Sequence, residues 1–349
     1  MTNKIKVLIV DDSALIRMLL TKALSQSPDI DVVGSAEDPI VARDMIKLLN
    51  PDVLTLDIEM PKMDGLTFLK NIMRLRPMPV IMVSTLTKKG ANVTLKALEY
   101  GAFDFIAKPD SDIRENLMAY TGILVDKIKA ANNANVANMH TEVAKTIAAP
   151  SASTGSRTSK LEVITVGAST GGTEAIKSLI VSLPDTLPPI VMAQHIPPVF
   201  STSFAKRLNS CTPINVIEPT KTMELEYGHA YLAPGDEHMK IFRRGGRLYL
   251  KTEQTEEVNR HRPSVDVLFD SVEETCGKNT LAVILTGMGA DGAKGLKRLN
   301  DVGAHTIAQD EASSVVWGMP GAAVALGAAT EVLSLNKIPQ RIVNLASKK

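Results

Sequence analysis

The chain has little cysteine: Cys211 and Cys276 are the two in 349 residues, too few for the disulfide framework of a small secreted domain. It also lacks an excess of charge of either sign, with 39 basic against 38 acidic residues. The balance holds regionally, since residues 1–122 carry 15 basic and 16 acidic side chains and residues 159–349 carry 20 of each. Neither part has the basic footprint of a DNA-binding output domain, so no nucleic-acid partner is expected. Long hydrophobic runs are missing too. The opening apolar run, Val7 to Val10, stops at two aspartates, and nothing around it resembles a secretion signal. Residues 312–330 are uncharged over 19 positions, close to the length of a membrane span, but they include Ser313, Ser314, Pro320 and three glycines. That composition predicts a buried, loop-broken segment rather than membrane insertion. A cytoplasmic protein is expected.

What is present is enough chain for two domains, since single cores rarely grow past about 250 to 300 residues. Residues 130–159 change character: twenty of these thirty are Ala, Asn, Ser or Thr, with no Leu and no aromatic side chain. Such a segment buries too little apolar surface to offset its ordering entropy, and it reads as a linker whose first residues extend the preceding helix. The expected division is a first domain at 4–122, a linker at 123–159 and a second domain at 160–349. Before the linker, the strand-like runs KVLIV (6–10), DVVGSA (31–36), VLTLD (53–57), PVIMVS (79–84) and FDFIAKP (103–109) alternate with helical patterns near 13–27, 39–49, 65–75, 91–100 and 113–130. Five βα units of this length predict an α/β doubly wound parallel sheet. After the linker the alternation resumes with LEVITV (161–166), PIVMAQ (189–194) and LAVILT (281–286), and with further strands near 214–217 and 305–308. HMKIF and RLYLK flank Arg243, Arg244, Gly245 and Gly246, which predicts a β-hairpin inserted in a second parallel α/β domain.

In a doubly wound sheet, ligands sit beyond the carboxyl ends of the strands. In the first domain those ends carry Asp11 and Asp12, Asp57, Ser84 and Lys108. Taken singly, the aspartates would serve as helix caps and the lysine as a surface charge. Together they describe an acidic pocket: clustered carboxylates repel unless a cation joins them, and oxygen-only ligands suit Mg²⁺. A lysine and a hydroxyl beside them could meet an incoming phosphoryl group. VDD at the first strand, LDIEMPKMDG at the third, VS at the fourth and KP at the fifth resemble a two-component receiver domain over residues 4–122. The resemblance implies Asp57 as phospho-acceptor, with Mg²⁺ held by Asp12, Asp57 and the Glu59 carbonyl and supported by Asp11. It implies Ser84 and Lys108 as phosphate-responsive groups and Phe105 at the aromatic switch position. Asp64 and Gly65 read as turn formers.

In the second domain the stretch ITVGASTGGTEAI (164–176) ends a strand in small residues and opens a helix. GASTG satisfies the G-x-S-x-G nucleophile pattern, while a glycine-rich strand-to-helix turn equally suits a nucleotide phosphate. The spacing is not G-x-G-x-x-G, and GKS or GKT is absent. On these residues alone the choice stays open. A nucleophilic Ser169 needs a base, and His195 follows the strand PIVMAQ at a carboxyl end. His140 lies in the linker, His229 and His238 border the hairpin, where structural hydrogen bonds are expected, and His305 begins a strand at the wrong edge. His261, in RHRPSVD, is expected to start a helix and is the second candidate for base or for a substrate-side residue. Asp291, in LTGMGADG, follows another strand and could orient the base, or could cap the helix that begins there. Ser169, His195 and Asp291 would share one sheet edge. Backbone N–H groups near Thr170 and Met288 could then meet an oxyanion, and a bulkier residue at Gly171, Gly287 or Gly289 would obstruct that approach.

The order Ser, His, Asp differs from that of α/β-hydrolases. GASTGG, MAQHIPP, HRPSVD and LTGMGADG in this order resemble the catalytic domain of chemotaxis protein-glutamate methylesterases over about residues 160–345. With the receiver in front, the architecture resembles the CheB-type chemotaxis response-regulator methylesterases and protein-glutamine glutaminases. That resemblance implies γ-glutamyl methyl esters and glutamine side chains of methyl-accepting chemotaxis receptors as substrates. It implies a chemotaxis histidine kinase as phosphodonor, Mg²⁺ as the receiver's cofactor and none in the catalytic domain. Phosphorylation is expected to free an active-site edge that the receiver constrains. Two other readings remain at this stage: a phosphorylation-gated ligand-binding module with a non-catalytic second domain, and a nucleotide-binding redox or transfer enzyme.

Overall fold

Two parallel sheets organise the protein, one in each of two units, Met1–His140 and Thr141–Lys349. The computed structural model describes residues 4–108, 117–134 and 161–347. Pro109, the start of the expected fifth helix at 113, His140 and most of the expected linker lie outside the described residues.

In the first unit β1 (Ile5–Val10), β2 (Ile30–Ala36), β3 (Val53–Asp57), β4 (Val80–Ser84) and β5 (Asp104–Ala107) form a parallel sheet in the order β2-β1-β3-β4-β5. β3 and β4 are buried along their whole length, which is why they read as unbroken apolar runs instead of alternating. The helices are α1 (Ala14–Leu24), α2 (Pro39–Leu49), α3 (Gly65–Leu75), α4 (Lys88–Glu99) and α5 (Leu117–Asn132). Short polar side chains start four of them. Ser13, Asp38, Asp64 and Thr87 accept hydrogen bonds from N–H groups of the first turn that no helical carbonyl can reach. The Thr87 cap explains why α4 begins at Lys88, ahead of the expected residue 91. α5 continues to Asn132, so the opening of the 123–159 segment is helical.

In the second unit the elements run β6 (Val163–Ala168), α6 (Gly172–Val181), β7 (Ile190–Gln194), α7 (Pro198–Cys211), β8 (Asn215–Ile217), β9 (Met223–Glu224), β10 (His229–Leu232), β11 (His238–Arg244) and β12 (Arg247–Glu253). α8 (Val265–Cys276), β13 (Thr280–Ile284), α9 (Ala293–Asp301), β14 (His305–Gln309), α10 (Met319–Ala325), β15 (Glu331–Leu333) and α11 (Ile338–Ala346) complete it. The seven-stranded parallel sheet has the order β15-β14-β13-β6-β7-β10-β8. β11, β12 and β9 make a separate antiparallel sheet. The expected hairpin is present, closed at Gly245 and Gly246 with φ of 57° and 82°. Two consecutive positive φ values match the right-handed twist of the flanking strands and favour glycine at both positions. Three short strands, β9, β10 and β15, were not legible as strands; at two, four and three residues they carry almost no periodicity. His261 does not start a helix: Ser264 caps α8 and His261 lies in the turn before it.

The strand order positions the site. β6 is hydrogen-bonded to β13 on one side and β7 on the other, with Gly167 opposite Ile284 and Ala168 opposite Gln194. The loops that follow these three adjacent strands therefore leave the sheet at one edge. Beneath them, Val163, Val191, Leu268, Phe269 and Leu296 are fully buried between the sheet and the α8–α9 side. Among the described residues, no helix is long and apolar enough to cross a membrane.

Candidate active site and receiver pocket

Ser169 is the first residue after β6, and its backbone is held from both neighbouring strands. Its N–H donates to Thr286 O at 3.0 Å on the β13 side, and its carbonyl accepts from Gln194 Nε2 at 2.9 Å on the β7 side. The same carbonyl accepts the Gly172 N–H at 2.7 Å, which closes the strand-to-helix turn. Gly171 makes that turn possible: its φ is +76°, and a Cβ there would also meet the Val315 side chain at 2.8 Å.

The structure brings the three expected residues together. Ser169 Oγ lies 3.1 Å from His195 Nδ1, and His195 Nε2 lies 2.8 Å from Asp291 Oδ2. With the carboxylate accepting Nε2–H, Nδ1 is left to accept the serine proton. The His195 and Asp291 side chains are 8% and 2% exposed, so little water competes for either contact.

Asp291 does not cap the helix that follows it; Gly292, at φ 84°, occupies that position with no side-chain cap. Its carboxylate instead serves the N-terminus of α8. Oδ1 accepts from Ser264 Oγ at 2.8 Å, Asn259 Nδ2 at 2.7 Å and Asp266 N at 3.2 Å, and Oδ2 accepts from Val265 N at 2.6 Å. Burial alone would push this carboxyl toward the neutral form. The hydrogen bond and charge of His195, together with Asn259 and the Val265 N–H, outweigh burial and hold it below the ordinary carboxylate range. It is therefore anionic where an imidazolium forms beside it.

Thr170 is buried, and its carbonyl accepts from Thr286 Oγ1 at 3.0 Å. Among the described residues, no backbone acceptor takes the Met288 N–H. Gly287 packs against Ser169, whereas a Cβ on Gly289 would meet no protein atom within 4 Å and is constrained by a φ of +81°.

The remaining histidines separate. His261 stacks on His195, ring centroids 3.6 Å apart and planes 16° from parallel, without taking the serine contact. His238 is fully buried, accepting the Ser264 N–H at Nδ1 and donating from Nε2 to Glu256 O. His229 Nδ1 lies 3.0 Å from Tyr227 O, and His305 pairs with Glu331. Sequence reasoning missed Gln194, Asn259, Ser264 and Thr286. Of these only Ser264 had a local signal, as a cap residue just before an apolar-periodic run.

In the first unit, oxygens of Asp11, Asp12 and Asp57 lie within 4.8 Å of one another. Lys108 Nζ stands between two of the carboxylates, 2.8 Å from Asp57 Oδ2 and 3.1 Å from Asp11 Oδ2. Burial pushes the Asp57 carboxyl up to about 6, the Asp11 charge adds to this, and Lys108 offsets part of it. Burial likewise raises Asp11. Burial alone would lower Lys108, but the two carboxylates raise it overall. Ser84 Oγ lies 2.8 Å from Thr94 Oγ1, and a depression is lined by Asp57, Glu59, Ser84, Gly90 and Lys108. The Phe105 side chain is buried. Asp64 caps α3, and a Cβ on Gly65 would come within 2.0 Å of Asp57 O, so this pair shapes the strand end carrying Asp57. Asp11 Oδ2 and Asp57 Oδ2 are buried against the Lys108 ammonium, and the ligand atoms of the cluster are all carboxylate oxygens. That is the chemistry of a site for a hard divalent cation such as Mg²⁺.

A receiver fold with its acidic pocket, followed by an α/β unit with a serine, a histidine and an aspartate in contact, defines a signal-regulated serine hydrolase. Residues 7–118 match the response regulator receiver domain and residues 164–342 match the CheB methylesterase domain; the chain belongs to the CheB methylesterase family. It is 54% identical over 345 residues to protein-glutamate methylesterase/protein-glutamine glutaminase 2 of Saccharophagus degradans, spanning 99% of each chain. It is 50% identical over 342 residues to the protein-glutamate methylesterase/protein-glutamine glutaminase of Salmonella typhimurium, spanning 98% of this chain and 97% of that one. The second unit is similar to the crystal structure of the Thermotoga maritima CheB methylesterase catalytic domain, with 37% identity, a TM-score of 0.52, and coverage of 53% of this chain and 98% of that one.

Proposed function

We propose that this protein hydrolyses γ-glutamyl methyl esters on methyl-accepting chemotaxis receptors, and deamidates receptor glutamines to glutamate, when its receiver is phosphorylated. The contact chain from Ser169 Oγ through His195 to Asp291 carries the reading. Ser169 Oγ attacks the ester carbonyl carbon as its proton passes to His195 Nδ1. The carbonyl oxygen becomes an oxyanion facing the Thr170 and Met288 N–H groups, each such donor contributing about 2.7–4 kcal/mol to the transition state. His195 returns the proton to the methoxy oxygen, the C–O bond breaks, and methanol leaves an acyl-Ser169. Water then gives a proton to the same nitrogen and attacks the acyl carbon, and Ser169 departs as its alcohol, leaving glutamate. Asp291, kept anionic, orients the imidazole and offsets its charge in both halves. A glutamine side chain follows the same course with ammonia as the leaving group.

In the receiver, Asp57 accepts the phosphoryl group from a chemotaxis histidine kinase. Asp11, Asp12, Asp57 and the Glu59 carbonyl are the residues that would hold Mg²⁺, which when bound supplies positive charge against the carboxylates and the phosphoryl oxygens. Lys108 and Ser84 meet the phosphate, and Phe105 answers as the aromatic switch. The test is methanol release from methylated receptor membranes by wild type and Ser169→Ala, with and without a phosphodonor. Release by wild type alone, rising with the phosphodonor, is expected; equal release from both proteins sinks the mechanism.

A further inference from the structure

Two members of the triad are gripped from one tight turn that the mechanism leaves unused. Val258 and His261 exchange backbone hydrogen bonds, Val258 N to His261 O at 3.2 Å and His261 N to Val258 O at 3.0 Å, enclosing Asn259 and Arg260. Both enclosed residues are left-handed, at φ 56° and 65°, and neither is glycine. Such backbone is strained and persists only where surrounding contacts over-determine it. Here the contacts lead to the active site. Asn259 Nδ2 donates to Asp291 Oδ1 at 2.7 Å and to Asp266 Oδ2 at 2.8 Å, and the His261 ring lies flat on the His195 ring at 3.6 Å.

We propose that the Val258–His261 turn is a clamp on the triad, with Asn259 and His261 as positioning residues for the hydrolase reaction. The proposal rests on the hydrolase reading given above. His195 works only while its two nitrogens face Ser169 and Asp291 together, at 3.1 and 2.8 Å. Rotation of the ring about its bond to Cβ breaks both contacts at once. A second imidazole stacked on one face blocks that rotation and keeps water from that face. Asp291 has the complementary problem. Its backbone lies between Gly289 and Gly292, both at positive φ, and its carboxylate takes its donors from residues outside that loop. Asn259 fixes it from outside the loop and ties it to Asp266 on α8. The turn thus touches the base on its face and the acid on the oxygen that points away from it, an oxygen it shares with Ser264 Oγ and the Asp266 N–H, so one short piece of chain joins both partners of the His195–Asp291 contact.

The test uses the full-length protein and two readouts. A fluorophosphonate reports nucleophile activation at Ser169 with no receptor present, and methanol release from methylated receptor membranes reports turnover. His261→Ala and Asn259→Gly, the latter keeping the left-handed backbone, are expected to slow labelling and kcat by about tenfold or more while KM stays within about twofold. His261→Phe, which restores a flat ring, is expected to recover to within about threefold of wild type. Labelling at the wild-type rate in both His261→Ala and Asn259→Gly, or an effect confined to KM, overturns the clamp. Thermal melting checks the fold, and if His261→Ala does not fold, Asn259→Gly decides alone. Wild-type labelling without methanol release would sink the receptor-ester reading, and slower labelling in the variants would then support the clamp on a hydrolase of another substrate. Absence of labelling in wild type overturns both.

Discussion

A Cβ placed on Gly287 would stand 2.8 Å from Ser169 Cβ and 3.0 Å from Ser169 N, so the loop after β13 lies directly against the nucleophile's backbone. Gly287→Ala must therefore move Ser169 or the loop. Displacements of about 1 Å at a reacting centre cost on the order of 10²-fold in rate, and that loss in kcat is expected. Gly289→Ala is the control: it meets no atom within 4 Å but forces a Cβ into φ +81°. That strain, about 1–2 kcal/mol, should lower the melting temperature, with a smaller loss of methanol release than in Gly287→Ala. Equal activity losses in the two variants would contradict the distinction.

Asp291→Asn is expected to lower kcat by about 10³–10⁴-fold, because an amide directs N–H at donors that now point at a carboxylate and upsets the tautomer of His195. At least one buried donor is left unmatched, at about 1–3 kcal/mol of stability. The folded carboxyl sits below its ordinary pKa, so its stabilising contribution is present above about pH 4 and is lost as pH falls further. The melting difference between wild type and Asp291→Asn should accordingly shrink in acid; a difference that grows there would contradict the assignment.

Asp57 has the opposite sign. Its folded pKa is about 6 against an ordinary 3.8, so the folded receiver holds a proton that the unfolded chain has already lost. Stability of this unit should fall as pH rises from about 4 to about 6 and stay low above that, by a few kcal/mol at most. Asp57→Asn should flatten the fall, and Mg²⁺ should raise the wild-type melting temperature more at pH 8 than at pH 5. A wild-type profile that rises through this window would be inconsistent with a buried, proton-holding Asp57.

Phosphorylation supplies the fourth test. A small-molecule phosphodonor with Mg²⁺ is expected to raise methanol release by wild type and to leave Asp57→Ala unchanged from its own rate without the donor. Stimulation that survives Asp57→Ala would move the phospho-acceptor elsewhere.

Much of the site was legible because parallel α/β order is written locally. Each strand is a short apolar run, each run ends in punctuation, and the residues just past those ends are candidates by topology alone. Ser169, His195, Asp291, Asp57 and Lys108 all fall at such ends. What surrounds them was not legible in the same way. Asn259 reaches Asp291 across 32 residues of chain and Gln194 reaches back 25 to Ser169, with no local pattern to announce either contact. Asp291 had a sensible local role as a helix cap, and only the approach of α8 decided that its carboxylate serves a different helix.

The amino-acid order by itself determined the two α/β units and which residues stand at the carboxyl edges, because hydrophobic period and turn glycines act over a few residues. The tertiary structure decided that β13, β6 and β7 lie side by side and so bring three distant loops to one edge. It also decided which nitrogen of His195 faces the serine, and that one strained turn holds both the base and the acid. These depend on close packing between segments far apart in the chain, where no local rule ranks one neighbour above another.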